Sequence, residues 1–335
     1  MTRIQFFDGA MGTMLQSRGL APGQSPEELN ITMPDVVESV HLDYLRAGAD
    51  ILITNTFGGS SMKLQEYHLE NRLAEINRKA VEIARGACEK YGHGKVAASL
   101  GPTGLFVAPV GDMSFDAMYQ VYFEQAQAIA EAKPDYFLLE TFSDLGEIRA
   151  ALLACLDAGH GEIPVICSMT YTNGRTLTGV SPAVAAVTLE AMGASVIGCN
   201  CSGGPGELLP VVAELANHTS LPLVVQPNAG LPVLVDGVVS YPLDAQSFAD
   251  AMEQFLPYQV AFMGGCCGTA PAHICALKAK MGAAEISVRE TSAVGYLSCR
   301  DHVVALGGNT LPKMIGERIN PTARKKLAQA LRDGD

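Results

Sequence analysis

The 335-residue sequence has little positive charge and no tryptophan. Lysine and arginine number 23 against 35 aspartates and glutamates, which gives a formal net charge of −12. A surface of this sign repels nucleic-acid phosphates and anionic membranes, so we expect neither as a partner. No apolar run approaches the roughly 20 residues that a membrane-spanning helix needs.

Several sequence patterns are also missing. No GxGxxG fingerprint follows the first predicted strand, so a dinucleotide-binding fold has no support. The nine cysteines include no short CxxC pairs and no framework spacing typical of disulfide-rich secreted domains. Residues 1–5 lack the apolar core of a signal peptide. We therefore expect a cytoplasmic protein whose cysteines serve metal binding or catalysis.

Short apolar runs alternate with helical stretches eight times along the chain. The predicted strands span residues 4–7, 51–55, 96–100, 136–140, 165–170, 196–201, 223–226 and 260–264. Most are continuously apolar, as strands buried on both faces should be. Eight strand–helix units in about 280 residues predict a (β/α)8 TIM barrel, with a doubly wound open sheet as the alternative.

In such a barrel, functional groups lie at the carboxyl ends of the strands. Cys266 and Cys267 follow the eighth strand between glycines, which reach positive φ at little cost and could let both thiols face one point. Cys201 ends the sixth strand, whose inward side chains share a layer with those of the eighth. Three thiolates with an open fourth position describe a catalytic zinc site. Buried free cysteines or a vicinal disulfide are the alternatives.

Two acidic residues also stand at predicted strand ends. Asp8 either begins a turn or opens a glycine-containing loop whose backbone N–H groups bind a carboxylate. Glu140 closes an apolar strand, so its charge needs either a backbone partner or a ligand cation.

The other cysteines have weaker predictions. Cys199 is expected to neighbour the metal site rather than bind the metal, and Cys299 has no visible partner. Four more are expected in the core: Cys88, Cys155, Cys167 and Cys275. The histidines form no ligand pair at helical spacing.

The barrel pattern ends near residue 281. Residues 285–295 are predicted to be a loop, and short apolar runs at 296–297 and 303–306 could cover the barrel wall. Residues 313–322 predict a strand and turn, and residues 324–331 predict a helix. We therefore divide the chain into a barrel, residues 1–285, and a C-terminal linker extension, residues 286–335.

Five motifs together resemble the homocysteine S-methyltransferase family over about residues 1–285. They are DGAMGT at 8–13, TNTF at 54–57, ET at 140–141, GCNC at 198–201 and GGCCG at 264–268. GERINPT at 316–322 resembles the start of the methyltetrahydrofolate-binding barrel of cobalamin-dependent methionine synthases, although Ala323 stands where a glycine is expected. The first 285 residues thus resemble the N-terminal homocysteine-binding module of those enzymes, followed by a linker and the truncated start of a folate-binding domain.

The resemblance implies that Cys201, Cys266 and Cys267 hold Zn²⁺, with the homocysteine sulfur as fourth ligand. Homocysteine would be the substrate, and its contacts would come from backbone amides near Asp8, Gly9 and Ala10, from Glu140 and from Asn200. Glu140 would bind the ammonium, and the amides would bind the carboxylate.

The resemblance also implies a methyl donor. Methylcobalamin on a partner module would supply the methyl group within a 5-methyltetrahydrofolate-dependent methionine synthase, with cobalamin- and folate-binding modules as partners. Neither cobalamin nor folate binding is assigned to this chain. The alternatives are a methyltransferase using a small donor such as S-methylmethionine, and a non-catalytic zinc- or thiol-binding barrel.

Overall fold

Eight parallel strands form the centre of the molecule in the computed structural model, which describes residues 2–235, 238–287, 289, 294–308, 310–313, 322 and 324–334. We number them β1 to β8 in chain order. They are Gln5–Phe6, Ile51–Ile53, Lys95–Leu100, Tyr136–Phe142, Val165–Met169, Val196–Asn200, Leu223–Gln226 and Val260–Met263. Each coincides with a predicted strand to within two residues.

The strands pair in chain order, and the sheet then closes on itself. Strand β8 pairs in parallel with both β7 and β1. Closure between β1 and β2 comes from a parallel bridge that joins Phe7 to Ile51, and the Asp8 N–H donates to the Ile51 carbonyl at 3.1 Å. The molecule is therefore a (β/α)8 barrel, and the alternative of a doubly wound open sheet is wrong.

A helix follows each barrel strand and packs on the outside. In chain order, α1 to α8 are Pro34–Arg46, Leu73–Tyr91, Phe115–Glu131, Leu145–Ala158, Pro182–Ala191, Pro205–His218, Ala245–Met252 and Pro271–Met281. Four of these begin with proline, whose fixed φ suits the first turn. Four have a serine or aspartate N-cap whose side chain accepts a first-turn N–H.

Apolar side chains fill two separate layers. One cluster lies inside the barrel and draws one residue from or beside each strand: Phe7, Ile51, Ala97, Leu138, Ile166, Val196, Val224 and Phe262. A larger cluster fills the space between the strands and the surrounding helices. Because the interior is packed, a ligand can enter only at the rim, above the carboxyl ends of the strands.

Several elements lie outside the repeating units. Short helices span Met11–Gln16, Leu29–Thr32 and Ser61–Gln65, and 3₁₀ turns span Glu70–Arg72 and Glu253–Tyr258. Strands Val233–Val235 and Val238–Ser240 pair as a hairpin in the loop after β7. None of the helices in the described ranges is long and apolar enough to cross a membrane.

The segment after α8 differs in part from its prediction. Glu285–Ile286 pairs with Thr2–Arg3, and Val294 and Gly295 belong to a strand, so the predicted loop 285–295 is wrong at both ends. Residues 288 and 290–293 lie outside the described ranges. Strands Val294–Ser298 and Val303–Gly307 form a hairpin against α5, as expected for a wall covering. Most of the folate-like segment, 313–322, lies outside the described residues. The predicted terminal helix is present at Lys325–Asp333, while the domain boundary at 285/286 stays a prediction.

Candidate active site

Three thiols meet at the rim of the barrel. The Sγ atoms of Cys201, Cys266 and Cys267 all lie within 4.8 Å of one another, and the Cys266 and Cys267 sulfurs are 4.0 Å apart. Two zinc–sulfur bonds of about 2.3 Å at a tetrahedral angle would place two sulfurs roughly 3.8 Å apart. The donor set and its spacing therefore fit zinc.

Backbone geometry explains how the chain brings these thiols together. Cys201 leaves β6 with φ +57°, and Ser202 follows with φ +63°, so the side chain departs from the strand's alternation. After β8, the Cys266 N–H donates to the Pro227 carbonyl at 2.8 Å, and the Cys266 carbonyl accepts from the Thr269 N–H at 3.1 Å. This turn, rather than an extended strand, lets two adjacent cysteines face the same side.

Hydrogen bonds among the sulfurs give the three thiols different pKa values. Donation from Cys266 and Cys267 lowers the pKa of Cys201 to about 3. The same interactions with Cys201 raise the pKa of Cys266 and of Cys267. The cluster thus already favours a thiolate, which is the form that binds metal.

A cavity of about 290 Å³ opens beside the thiols. Its walls come from four groups of residues: the loop Gly9–Thr13, the pair Pro26 and Glu27, the ends of strands β2 to β4 (Ile53, Thr54, Asn55, Phe57, Ser99, Glu140 and Thr141), and the cysteine cluster with Gly265. The cavity is large enough for a small amino acid whose side chain points at the sulfurs.

Two carboxylates lie at this end of the barrel: Glu140 lines the cavity, and the buried Asp8 does not. The Ser99 hydroxyl donates to Glu140 Oε1 at 2.5 Å, and the Ile53 N–H donates to Asp8 Oδ2 at 2.9 Å. Asp8 Oδ1 is buried and has no hydrogen-bond partner among the described residues. Burial raises the pKa of Asp8 above its ordinary value and that of Glu140 to about 7. Such acids favour a ligand cation, because a buried carboxylate without a counter-charge is costly.

The glycine loop after β1 offers fewer free amides than predicted. The Asp8 N–H donates to Ile51, and the Ala10 N–H donates to Thr269 Oγ1 at 3.2 Å. In the part of the chain that the structure describes, the Gly9 N–H makes no hydrogen bond. A Cβ at Gly9 would lie 2.5 Å from Thr269 Oγ1, so only glycine fits here.

Asn200 lies behind the pocket wall. Its Oδ1 accepts from the Thr141 N–H at 2.9 Å and from the Ser168 hydroxyl at 2.8 Å, while its Nδ2 donates to Thr141 Oγ1 at 2.8 Å. The side chain is fully buried and does not line the cavity. Its predicted substrate contact stays a prediction, and its Nδ2 also contacts Cys266 Sγ at 4.0 Å.

Sequence reasoning missed some residues that shape the site. Asn228 Oδ1 accepts from the Cys267 N–H at 3.1 Å; its place beyond the end of the seventh strand indicates the rim but not this contact. Glu27 Oε1 accepts from the Gly58 N–H at 2.7 Å, and no pattern around Glu27 indicated this contact.

The remaining cysteines agree with prediction except for two. Cys88, Cys155, Cys167 and Cys199 are buried, and Cys199 is absent from the sulfur cluster. Cys275 is exposed on α8, so its predicted core position is wrong: the buried residues of this helix are Ile274, Leu277 and Met281. Cys299, expected to lack a partner, contacts Asp301 and His302.

The chain resembles known proteins over most of its length. Residues 5–281 match the homocysteine S-methyltransferase family model. The methionine synthases of Mycobacterium tuberculosis (strain ATCC 25618 / H37Rv) and Mycobacterium leprae (strain TN) are each 33% identical, over 345 and 352 residues. These alignments cover 98% of this chain but only 29% of each relative.

A solved structure shares both the fold and part of the sequence. The metallated form of the homocysteine methyltransferase MmuM from Escherichia coli superposes with a TM-score of 0.72 at 28% identity, covering 83% of this chain and 96% of that one. Its apo form gives a TM-score of 0.65 at 29% identity. The family match spans most of the chain and includes every candidate site residue described above. The chain belongs to the homocysteine S-methyltransferase family.

Proposed function

We propose that this chain transfers a methyl group to the thiol of homocysteine, giving methionine, with zinc held by Cys201, Cys266 and Cys267. The observation that carries the proposal is the convergence of three thiols and the Glu140 carboxylate on one small cavity. Zinc, when bound, would lower the pKa of the homocysteine thiol and keep its sulfur nucleophilic at neutral pH.

The chain's own residues would bind and orient the amino acid. Glu140 accepts a charge-assisted hydrogen bond from the homocysteine ammonium, with the unpaired Asp8 Oδ1 as the nearby second acid. The carboxylate lies against the loop Asp8–Ala10, where the Gly9 N–H is free to donate. Bound at both groups, homocysteine can extend its thiol only toward the cysteine cluster.

The transfer itself is a displacement at the methyl carbon. The substrate sulfur forms a bond to the methyl group while the donor's bond to that carbon breaks, and the donor leaves with the electron pair. No carboxylate of the protein needs to accept a proton from the sulfur in this step, because the thiol proton is lost beforehand.

Methylcobalamin on a partner module is the donor we propose, within a 5-methyltetrahydrofolate-dependent methionine synthase. One support is length, since the curated relatives are much longer than this chain. The other is the surface around the cavity. Loops that follow the barrel strands expose large apolar side chains: Phe57, Leu105, Val110, Leu177, Leu231, Val233 and Leu234. Apolar side chains grouped on one end of a barrel are typical of a docking face.

A small free donor such as S-methylmethionine is the second candidate. The observation that favours it is the MmuM structure, because this chain covers 96% of that homocysteine methyltransferase. A homocysteine methyltransferase can thus be little longer than one barrel, without a further module to carry the donor. A zinc- or thiol-binding barrel without turnover is the third. The cytoplasmic location stays a prediction.

The test is methionine formation by the full-length, zinc-loaded chain with homocysteine and either free methylcobalamin or S-methylmethionine. We expect turnover with methylcobalamin and none in the matched Cys266→Ser chain. Turnover with S-methylmethionine alone would establish the second candidate. Homocysteine binding without turnover from either donor would establish the third.

The docking face has its own test. Leu177→Ser and Leu234→Ser together should slow transfer from a separately expressed, methylcobalamin-loaded module and leave transfer from free methylcobalamin unchanged. Leu331→Ser, an exposed leucine on the terminal helix, is the control. Equal rates for all three chains with the module-borne donor would remove this surface from the proposal.

A further inference from the structure

A second group of potential metal ligands lies far along the chain from the cysteine cluster. It occupies the turn between strands Val294–Ser298 and Val303–Gly307, where Cys299, Asp301 and His302 stand within four residues. Their ligand atoms all lie within 4.8 Å of one another. Among the described residues, this is the one such group besides Cys201, Cys266 and Cys267.

The three side chains contact each other directly. Cys299 Sγ lies 3.1 Å from Asp301 Oδ1 and 3.0 Å from His302 Nδ1, and the Asp301 and His302 atoms are 2.7 Å apart. These contacts close a triangle in which protons are shared between a thiol, a carboxylate and an imidazole. A cation at the centre would replace those protons.

The backbone holds this arrangement in place. The Cys299 N–H donates to the His302 carbonyl at 3.0 Å, which closes the turn. Directly before it, the Ser298 hydroxyl hydrogen-bonds with the Thr188 hydroxyl of α5 at 2.9 Å, which ties the hairpin to the barrel wall. The three ligand side chains are thus exposed and can change their rotamers, while the backbone of the turn is held against the barrel wall.

The fit to a metal can be judged from standard bond lengths. Bonds of about 2.3 Å to sulfur and about 2.0–2.2 Å to nitrogen and oxygen at tetrahedral angles place the ligand atoms roughly 3.3–3.6 Å apart. The triangle would need to widen by only about half an ångström, which exposed side chains achieve by small rotations. Solvent would supply the fourth ligand.

The ligand types select the class of metal. Thiolate and imidazole prefer zinc and its transition-metal neighbours, whereas calcium and magnesium prefer oxygen ligands throughout. Thiolate and aspartate together carry two negative charges, which a divalent cation neutralises. From the cluster's geometry, we propose that the turn 299–302 is a second, solvent-exposed binding site for a divalent transition metal such as zinc or cobalt.

This site would be independent of the proposed methyl transfer. Its ligands do not line the cavity at the barrel rim, and the cysteine cluster contributes none of them. The cation would stiffen the hairpin turn against the barrel wall, and it would bind more weakly than at the rim, because exposed side chains are ordered upon binding.

The test is a cobalt titration of the full-length chain whose rim site has first been loaded with zinc. Thiolate-to-cobalt charge-transfer absorption reports a cysteine ligand, and equilibrium dialysis gives the stoichiometry. We expect one additional equivalent in the wild-type chain, loss of that equivalent in Cys299→Ser and weaker binding in His302→Ala. Cys275→Ser is the matched control, because Cys275 is the other exposed cysteine among the described residues.

The proposal would be overturned by the absence of an additional equivalent in the wild type, or by an equivalent that survives in Cys299→Ser. Loss in Cys275→Ser equal to that in Cys299→Ser would also contradict it. A Cys201→Ser chain separates the two sites, since it should keep the charge-transfer signal of the turn while its rim site is impaired.

Discussion

The side-chain amide of Asn200 holds Thr141 by two hydrogen bonds, accepting from its backbone N–H at 2.9 Å and donating to its hydroxyl at 2.8 Å. Thr141 has φ +67°, which is rare for a β-branched residue, and it directly follows Glu140. Asn200 itself directly precedes Cys201. One buried side chain therefore ties the carboxylate wall of the cavity to the cysteine cluster.

We expect Asn200→Ala to weaken homocysteine binding although Asn200 does not line the cavity. The substitution leaves the strained Thr141 without its partners, and a lost buried hydrogen bond costs roughly 1–3 kcal/mol. Calorimetric titration with homocysteine measures the effect. Ser168→Ala is the matched control, because it removes one donor to Asn200 and leaves both Thr141 bonds in place. Equal losses in both variants would contradict a role through Thr141.

At the barrel rim we expect one tightly bound zinc per chain, and reduced content of this zinc in Cys201→Ser, Cys266→Ser and Cys267→Ser. Each substitution removes one of three sulfur donors, and a serine hydroxyl is not deprotonated to replace a thiolate. Cys199→Ser is the control, because Cys199 is buried two residues from Cys201 and outside the sulfur cluster. Metal analysis of the purified chains decides the matter. Zinc loss in Cys199→Ser with retention in Cys201→Ser would reverse the assignment.

We expect Glu140→Gln to weaken homocysteine binding about ten- to hundredfold while zinc stays bound. A hydrogen bond between a carboxylate and an ammonium contributes roughly 1.5–3 kcal/mol, and glutamine is neutral. Homocysteine titration and metal analysis of the same preparation measure the two effects. Unchanged affinity in a folded Glu140→Gln chain would remove Glu140 from the site.

The stability of the zinc-free chain should depend on pH through Glu140. Burial raises the pKa of this group from 4.5 to about 7, so the folded state binds more protons than the unfolded state between these values. The group's contribution to stability is present below about pH 4.5 and is lost as the pH rises through about 7. As the pH rises from 5 to 8, the melting temperature of the wild type should therefore fall relative to that of Glu140→Gln. A constant difference across that range would contradict the raised pKa.

Truncation after Leu311 should leave zinc content and homocysteine affinity within about twofold, since changes away from a site usually cost under about 0.5 kcal/mol. No residue beyond Leu311 lines the cavity or belongs to the sulfur cluster among the described residues. The segment 313–335 should itself bind no folate, because one strand and one helix cannot bury a core. A large loss of homocysteine affinity with zinc retained would show that the tail belongs to the site.

The barrel was predictable because its evidence is local and repeated. Continuous apolar runs are what strands buried on both faces require, and proline at the first turn marks helix starts such as Pro182 and Pro271. Local sequence patterns predicted less well whether a single residue of a turn or helix is buried or exposed. Cys275 is apolar enough for a core and yet lies on the exposed side of α8, which the short helix does not reveal.

The sequence by itself determined the repeat of eight strand–helix units, the family resemblance and the identity of the candidate ligands, because each of these depends on residue type and order. The tertiary structure decided the contacts between distant segments. Only the parallel pairing of β6, β7 and β8 brings Cys201 close to Cys266. Only the folded loop shows that the Asp8 and Ala10 N–H groups donate hydrogen bonds while the Gly9 N–H is free. The turn containing Cys299 and His302 became a candidate site only because the folded structure brings these side chains into contact. Their sequence spacing permits such a contact but does not require it.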